Sequence, residues 1–165
     1  MTVERGALPP FNTPLETGLR SVWVLSAAFP RGFDLQRLVA FDYLVVHTGD
    51  IEGPSSLHPD LPMRSAELLV RRGLVERGLR LMITRGLVRR QPSPEGILYY
   101  AGEIAATFIA SLESRYFGEL RERAQWVIEQ FGEMEEDVFR STMNRAFDQW
   151  VDQFQVAHYT LIGGS

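Results

Sequence analysis

The sequence contains no cysteine, and all of its basic residues apart from histidine are arginine rather than lysine. Without cysteine the chain has no disulfide, no thiolate metal ligand and no cysteine nucleophile. Proteins of a reducing compartment commonly lack disulfides, so we expect a cytoplasmic protein. Without lysine, a phosphate-binding loop of the G-x-x-x-x-G-K type cannot be completed, and no G-x-S-x-G nucleophile elbow occurs either. These absences favour a protein that is not an enzyme.

Long apolar runs and a secretory signal are missing as well. A membrane span needs roughly 20 apolar residues, and the longest candidate, Leu38 to Val46, is interrupted by Asp42. The first residues carry Glu4 and Arg5 but no apolar core of a signal peptide. We therefore expect no membrane partner. With 165 residues, 45% of them hydrophobic, the chain is long enough for one globular domain with an extension.

The net charge of −4 conceals an uneven distribution along the chain. Between Arg64 and Arg90 there are eight arginines and two acids, whereas the stretch from Glu103 to Gln155 has eleven acids and five arginines. A basic middle and an acidic C-terminal part are typical of a protein whose two regions face different partners. Ordinary solvated helix faces are the alternative explanation of the same pattern.

Two N-terminal helices are predicted from their capping residues. Thr13 followed by Pro14 starts the first helix, which we expect to end before Pro30. Asp34 caps a second helix that is apolar almost all round, which indicates burial in the core or against a partner subunit. The connection after it, Val46 to Met63, is longer than most connections inside a domain, and long connections are often functional.

The next segment predicts a winged helix-turn-helix. Its pattern indicates two short helices separated by a turn at Gly73, and then a hairpin of two strands around a proline- and glycine-rich turn. The predicted elements are helices over Ser65–Arg72 and Leu74–Arg85, a stop at Gly86, strands over Leu87–Gln91 and Ile97–Tyr100, and a turn over Pro92–Gly96.

Three further helices are predicted, over Glu103–Ser111, Ser114–Gln130 and Glu135–Gln155. The last of them carries an aromatic stripe from Val138 to Phe154 that suits core packing, with partner docking as the alternative. The expected fold is mainly α with a small β-hairpin. It divides into a flexible tail (1–12), a winged helix-turn-helix domain with N-terminal helices (13–112), a C-terminal helical extension (113–155) and a second tail (156–165).

Several separated strings together resemble one protein family. The strings FNTPLETGLRS, FDLQRLVAFDYLVVHTGDI, GPSSLHP and RSAELLVRRGLVERGLRLMITRGLV resemble the middle component of prokaryotic ABC-three-component systems, which are conflict or defence systems related to Lamassu. The resemblance covers roughly Phe11 to Gln155. It implies a small adaptor without catalytic residues, placed between an SMC/Rad50-like ABC ATPase and an effector that is often a nuclease.

One set of residues is a candidate nucleic-acid surface. Arg77, Arg80 and Thr84 follow the i, i+3, i+7 spacing of an outward helix face, and neighbouring arginines can add phosphate contacts. A surface for protein and a merely solvated face are the alternatives, and Glu76 counts against DNA. The candidate DNA-binding residues are Arg71, Arg72, Arg77, Arg80, Thr84, Arg89 and Arg90.

A second set is a candidate partner-binding surface. It combines the long loop with an apolar, β-prone tail that suits addition to the edge of a partner's sheet. The histidines of the loop are eleven residues apart, which argues against a metal site, and we expect no metal and no cofactor. The candidate partner-binding residues are His47, Asp50, Ile51, Leu57, His58, Tyr159, Leu161 and Ile162.

Two functions follow from these observations. The first is a non-catalytic adaptor subunit of an ATPase complex in anti-phage or anti-plasmid defence, linking ATPase to effector, with DNA contact made directly or through the complex. The second is a stand-alone winged-helix transcriptional regulator, against which the acidic pI of about 5.4 and the mixed charge near Arg77 both argue. A small enzyme that uses the histidine loop is a weaker third possibility.

Overall fold

The structure, a computed structural model, describes residues 13–58 and 65–146, and among residues 65–69 only the backbone is described. The helices are α1 (Pro14–Ala28), α2 (Leu35–Val46), a 3-10 turn (Thr48–Ile51), α3 (Ser65–Thr84), α4 (Ala105–Ala110), α5 (Arg115–Phe131) and α6 (Glu136–Ala146). The strands β1 (Val88–Ser93) and β2 (Gly96–Ala101) lie between α3 and α4 and form an antiparallel hairpin. The mainly helical fold with one small hairpin is therefore confirmed.

The capping residues start the helices as predicted. The Thr13 hydroxyl accepts a hydrogen bond from the Glu16 N–H at 3.2 Å, and the Asp34 carboxylate accepts one from the Arg37 N–H at 2.8 Å. The Ser114 hydroxyl does the same for α5. Each bond satisfies a backbone donor that the first turn of a helix would otherwise leave unpaired.

The turn predicted at Gly73 is wrong, because α3 is one helix of 20 residues. Its buried side chains form an unbroken stripe that includes Leu74, Val75, Leu79 and Met82, so core packing runs through the expected break. A glycine inside a helix costs only about 1 kcal/mol relative to alanine, which this packing outweighs. The helix ends at Thr84 instead, and Gly86 follows with a left-handed φ of 74°, as predicted for the helix stop.

Helices α1 and α3 cross with their backbones almost in contact. A β-carbon on Gly78 would lie 2.6 Å from the Gly18 nitrogen, so neither position has room for a side chain at the crossing. Beside it, the Thr17 hydroxyl donates to the Leu74 carbonyl at 3.0 Å. This contact fixes the orientation of α3 relative to the core.

The hairpin is longer than predicted, because Pro92 lies in β1 opposite Ile97 and not in the turn. Its second strand also pairs with the connection between α1 and α2. There the Phe33 N–H donates to the Tyr99 carbonyl at 3.0 Å, and the Tyr99 N–H donates to the Phe33 carbonyl at 2.8 Å. The hairpin is thereby attached to the helical core.

The second helix forms the centre of the core. Phe41, Leu44 and Val45 are fully buried, and α1, α3 and α5 all contact α2. The chain's own helices thus bury this apolar segment. No helix of the described residues is long and apolar enough to cross a membrane.

The C-terminal helices cover one side of α2. Phe139 of α6 packs edge-on against Phe41 and Phe131 at centroid distances of 5.6 and 6.1 Å. Its neighbour Val138 is 48% exposed. Farther along the predicted stripe Met143 is fully buried. The stripe residues from Phe147 to Phe154, with the predicted tails 1–12 and 156–165, lie outside the described residues.

Candidate functional site

A buried ionic cluster lies where α1, α2 and α3 meet. The Asp42 carboxylate accepts hydrogen bonds from Arg20 Nε at 2.8 Å and Arg20 Nη2 at 3.2 Å, and from Arg71. The side chains of Arg20 and Asp42 are only 1% exposed. Burial by itself raises the pKa of the Asp42 carboxyl, but the two guanidinium groups hold it below its ordinary value. Arg71, a candidate DNA-binding residue, is thus bonded to a buried carboxylate inside the protein.

The ionic cluster continues into the first part of the long loop. The His58 Nε2 atom and the Tyr116 hydroxyl of α5 lie 3.2 Å apart, and Tyr116 is also hydrogen-bonded to Arg20. Arg123 of α5 donates to the Ser55 carbonyl from Nε at 3.2 Å and from Nη2 at 2.9 Å. A β-carbon on Gly53 would lie 2.5 Å from the Trp126 ring. The segment 47–58 is therefore docked on α5.

Both histidines of the loop belong to the interior. His47 is 1% exposed and His58 is 7% exposed, with ring centroids 6.3 Å apart. Burial, and after it the charges of Arg20 and His47, lower the pKa of His58 to about 4. Within the described part of the chain, no three His, Cys, Asp or Glu residues are arranged to hold a metal ion.

These positions limit what a partner can reach on the loop. Asp50 is exposed, although its carboxylate accepts a hydrogen bond from the Tyr43 hydroxyl at 3.2 Å. Ile51 and Leu57 are half-buried and pack against the core. The other three candidates, Tyr159, Leu161 and Ile162, lie outside the described residues. A partner on this loop would contact Asp50 and the outer edges of the two aliphatic side chains, but not the histidines.

The outward side of α3 is polar and accessible. Arg77, Arg80 and Thr84 are all exposed there. Arg80 pairs with Glu76 one turn away at 2.7 Å, and the Thr84 hydroxyl donates to its own helix at the Leu81 carbonyl. The three side chains thus occupy the outward face that their spacing predicts.

The hairpin adds a further arginine to this side of α3. Arg90 lies opposite Tyr99 in the register of the hairpin. Burial raises the pKa of the Tyr99 phenol, and the charges of Arg90, Arg80 and Arg72 oppose that effect, whereas Glu76 adds to it. Arg90 of the hairpin and three charged residues of α3 therefore act electrostatically on one tyrosine. We call the four arginines of this side, Arg72, Arg77, Arg80 and Arg90, the basic ridge.

Arg89 belongs to a different surface. Its guanidinium carbon lies 5.2 Å from the centroid of Tyr100, on the opposite face of the hairpin from Arg90. Both residues line a groove of about 950 Å³ between the end of α1, the base of the hairpin and the start of α4. Phe29 and Ile104 border it and are 68% and 53% exposed. The candidate DNA-binding residues are thus divided among the interior, the basic ridge and this groove.

Sequence reasoning missed a second buried arginine that holds α6 in place. Arg37 donates from Nη2 to the carbonyls of Phe131 at 2.8 Å and Met134 at 2.9 Å. Its Nη1 donates to Glu136 at 3.3 Å, and its guanidinium lies 3.8 Å from the centroid of Phe139. Glu136 is the first residue of α6, so its ion pair with Arg37 joins α6 to α2. The sequence feature that could have identified Arg37 as buried is its position as a single arginine near the start of an apolar helix.

Comparison with known proteins yields a family. A search of the curated proteins and a search of the solved structures each find no match. The family model described as ABC-three component (ABC-3C) system Middle Component 2 matches residues 10–153. That range covers all of the fold described above, from before α1 to beyond the described part of α6. The chain therefore belongs to the family of ABC-three component system Middle Component 2.

Proposed function

We propose that the protein is a non-catalytic adaptor subunit of a cytoplasmic ABC-3C complex that acts in anti-phage or anti-plasmid defence. In this proposal it binds an SMC/Rad50-like ABC ATPase and an effector subunit and transmits a conformational change from one to the other. The family match over residues 10–153 carries the proposal. The non-catalytic role is supported by the internal contacts of Arg20, Asp42 and His58. These polar side chains are buried and bonded to one another or to neighbouring residues, where they stabilise the fold.

The finer fold assignment is also a proposal: a winged helix with a long connection between its two core helices. Helices α2 and α3 take the place of the helix-turn-helix, and the hairpin is the wing. The order of the elements supports this, since α1, Phe33, α2, α3, β1 and β2 follow one another along the chain. The pairing of Phe33 with Tyr99 supports it too, because an isolated β-bridge joins the connection between the first two helices to the hairpin.

For the ATPase contact we propose the outer side of the loop segment 47–58, around Asp50. The contacts with Arg123, Trp126 and Tyr116 support this choice, because a loop held in place loses less entropy when it binds. The tail residues named above are the second element of this surface.

Co-purification tests both the role and the surface. The tagged protein is expressed with the ATPase and effector subunits of its own system and isolated at near-physiological salt. The double variant Asp50→Arg/Glu52→Arg should lower ATPase recovery, whereas the exposed pair Glu133→Arg/Glu135→Arg on the α5–α6 connection is the matched control. Equal recovery from both variants would place the contact elsewhere. Failure of the wild-type chain to recover any subunit would contradict the adaptor role.

A further inference from the structure

The basic ridge concentrates positive charge on a side of the molecule that solvent reaches. Arg77, Arg80 and Arg90 are exposed and Arg72 is half-buried. The four arginines and Glu76, which pairs with Arg80 at 2.7 Å, carry a formal charge of +3 on α3 and the hairpin. Such a cluster attracts an anionic partner.

The elements that carry the ridge are fixed to the core. The Gly18–Gly78 crossing and the bond between Arg71 and Asp42 hold α3, and the Phe33–Tyr99 pairing holds the hairpin. Rigid elements fix the spacing of the backbone positions that carry these charges, so less of the binding free energy is lost in ordering the backbone. The ridge is therefore a preformed cationic surface.

We propose that the basic ridge binds the phosphate backbone of duplex DNA without reading its sequence, through Arg72, Arg77, Arg80 and Arg90. Planar guanidinium groups match the geometry of phosphate oxygens. The inference rests on the proposed function, because a DNA contact by this subunit matters for a complex that acts on invading DNA. Arg71 and Arg89 take no part, since one is bound to Asp42 and the other lies over Tyr100.

Two of the side chains on this side of α3 that could read bases are engaged within the protein. Base recognition in the major groove relies on arginine, lysine, asparagine and glutamine side chains that are available to base edges. Here Arg80 is paired with Glu76, and the Thr84 hydroxyl is bonded to the Leu81 carbonyl. The Glu76 carboxylate, paired with Arg80, also repels a nearby phosphate. Weak contact that does not depend on sequence is the mode that fits these side chains.

The ridge is suited to a duplex and not to a single strand. Proteins that bind single strands stack the bases on accessible aromatic side chains. The tyrosine at the centre of the ridge, Tyr99, is 9% exposed, and its neighbour Tyr100 is half-buried on the other face of the hairpin. Because the ridge offers arginines and no accessible aromatic ring on which a base could stack, we expect it to contact the phosphate backbone of a duplex whose bases remain paired.

The test is a titration of the purified full-length chain against a labelled random-sequence duplex of about 20 base pairs, roughly two helical turns. Anisotropy is recorded between about 50 and 200 mM salt. Log affinity falls as log salt rises, with a slope of about −0.9 for each neutralised phosphate. Arg80→Ala/Arg90→Ala should reduce the magnitude of that slope by about 1.8. The matched control, Arg115→Ala/Arg121→Ala, removes two exposed arginines of α5 and should leave it unchanged.

A variant of opposite sign sharpens the test. Glu76→Gln removes the carboxylate from the ridge and releases Arg80, so duplex affinity should increase while the protein stays folded. Equal loss in the ridge and control pairs, no gain from Glu76→Gln, or tighter binding to single-stranded DNA or RNA than to the duplex would overturn the proposal. So would wild-type protein that does not bind the duplex at the lowest salt.

The adaptor role and the DNA-binding inference are tested independently of each other. If the wild-type chain recovers the ATPase but does not bind the duplex, the basic ridge inference is wrong and the adaptor role stands. If it binds the duplex as predicted but recovers no subunit, the adaptor role is wrong and the inference stands.

Discussion

Arg71 and Arg80 lie on the same helix, nine residues apart in the sequence, yet they have opposite environments. Arg71 is 14% exposed and bonded to the buried Asp42, whereas Arg80 is 70% exposed and paired with Glu76 one turn away. Their local sequences, LVRRGL and ERGLRL, are similarly rich in arginine and leucine. The helix face and the partner across the core, and not the residue type, decide whether an arginine stabilises the fold or is available for binding.

The largest expected effect comes from removing the acid at the centre of the ionic cluster. Asp42→Asn leaves Arg20 and Arg71 against a neutral amide, and uncompensated buried charge is strongly destabilising. We expect the free energy of unfolding to fall by about 3–5 kcal/mol, as measured by urea denaturation. A loss below about 1 kcal/mol would show that water reaches this cluster and that the contrast with Arg80 is weaker than described.

Replacing each of two glycines of α3 by alanine should change the free energy of unfolding in opposite directions. Gly78→Ala would place a β-carbon 2.6 Å from the Gly18 nitrogen, so we expect a loss of about 1–3 kcal/mol from overpacking. Gly73→Ala would meet only the flexible end of Arg77 at 3.3 Å. Because alanine is the better helix former, it should stabilise the protein by about 0.5–1 kcal/mol. Destabilisation by Gly73→Ala in thermal unfolding would indicate that the chain turns at this position after all.

Because His58 is buried, we expect it to make the free energy of unfolding depend on pH, which the exposed arginines of the ridge do not. His58 has a pKa of about 4 in the folded protein and an ordinary value of 6.5, so between these values the unfolded chain binds more protons. Its contribution to stability is therefore present above pH 6.5 and is lost as the pH falls toward 4. Burial is the main cause of the shift, followed by the charges of Arg20 and His47.

The measurement is urea denaturation across this pH range. His58→Asn should flatten the dependence relative to the wild type, and His158→Asn in the C-terminal tail is a control of the same chemistry. Parallel pH profiles for the wild type and His58→Asn would contradict the described burial of the histidine.

The smallest expected effect is on the ridge itself. Arg80→Ala removes an exposed pair with Glu76, and such pairs contribute about 0.2–1 kcal/mol or less. Its free energy of unfolding should lie within about 0.5 kcal/mol of that of the wild type and of Arg115→Ala. A larger loss would assign Arg80 a structural role, and its effect on DNA binding would then need the Arg80→Lys variant as a check.

The elements that the sequence predicts well are those governed by neighbouring residues. Thr13 and Asp34 cap their helices within three residues, and Gly86 ends α3 next to the hairpin. The exposed positions of Arg77 and Arg80 likewise follow from helical spacing alone. The turn at Gly73 failed because core packing along α3 outweighs the local preference of one glycine.

The contacts that the sequence did not predict join distant residues. Asp42 meets Arg20 and Arg71 from 22 and 29 residues away, and Arg37 meets Phe131 from 94 residues away. In the sequence, Asp42 is only an interruption of an apolar run. No local pattern distinguishes a charge that will be neutralised in the core from one that remains at the surface, and this is why the sequence places Arg71 among the candidate DNA-binding residues.

The most direct test of the adaptor role is reconstitution with one subunit omitted. The ATPase and effector subunits of the same ABC-3C system are purified separately and mixed with or without this chain, and the assemblies are resolved by native mass spectrometry. We predict that the ATPase and effector associate in one complex only when the chain is present, and that it is part of that complex. An ATPase–effector complex that forms equally well without the chain would contradict the adaptor role.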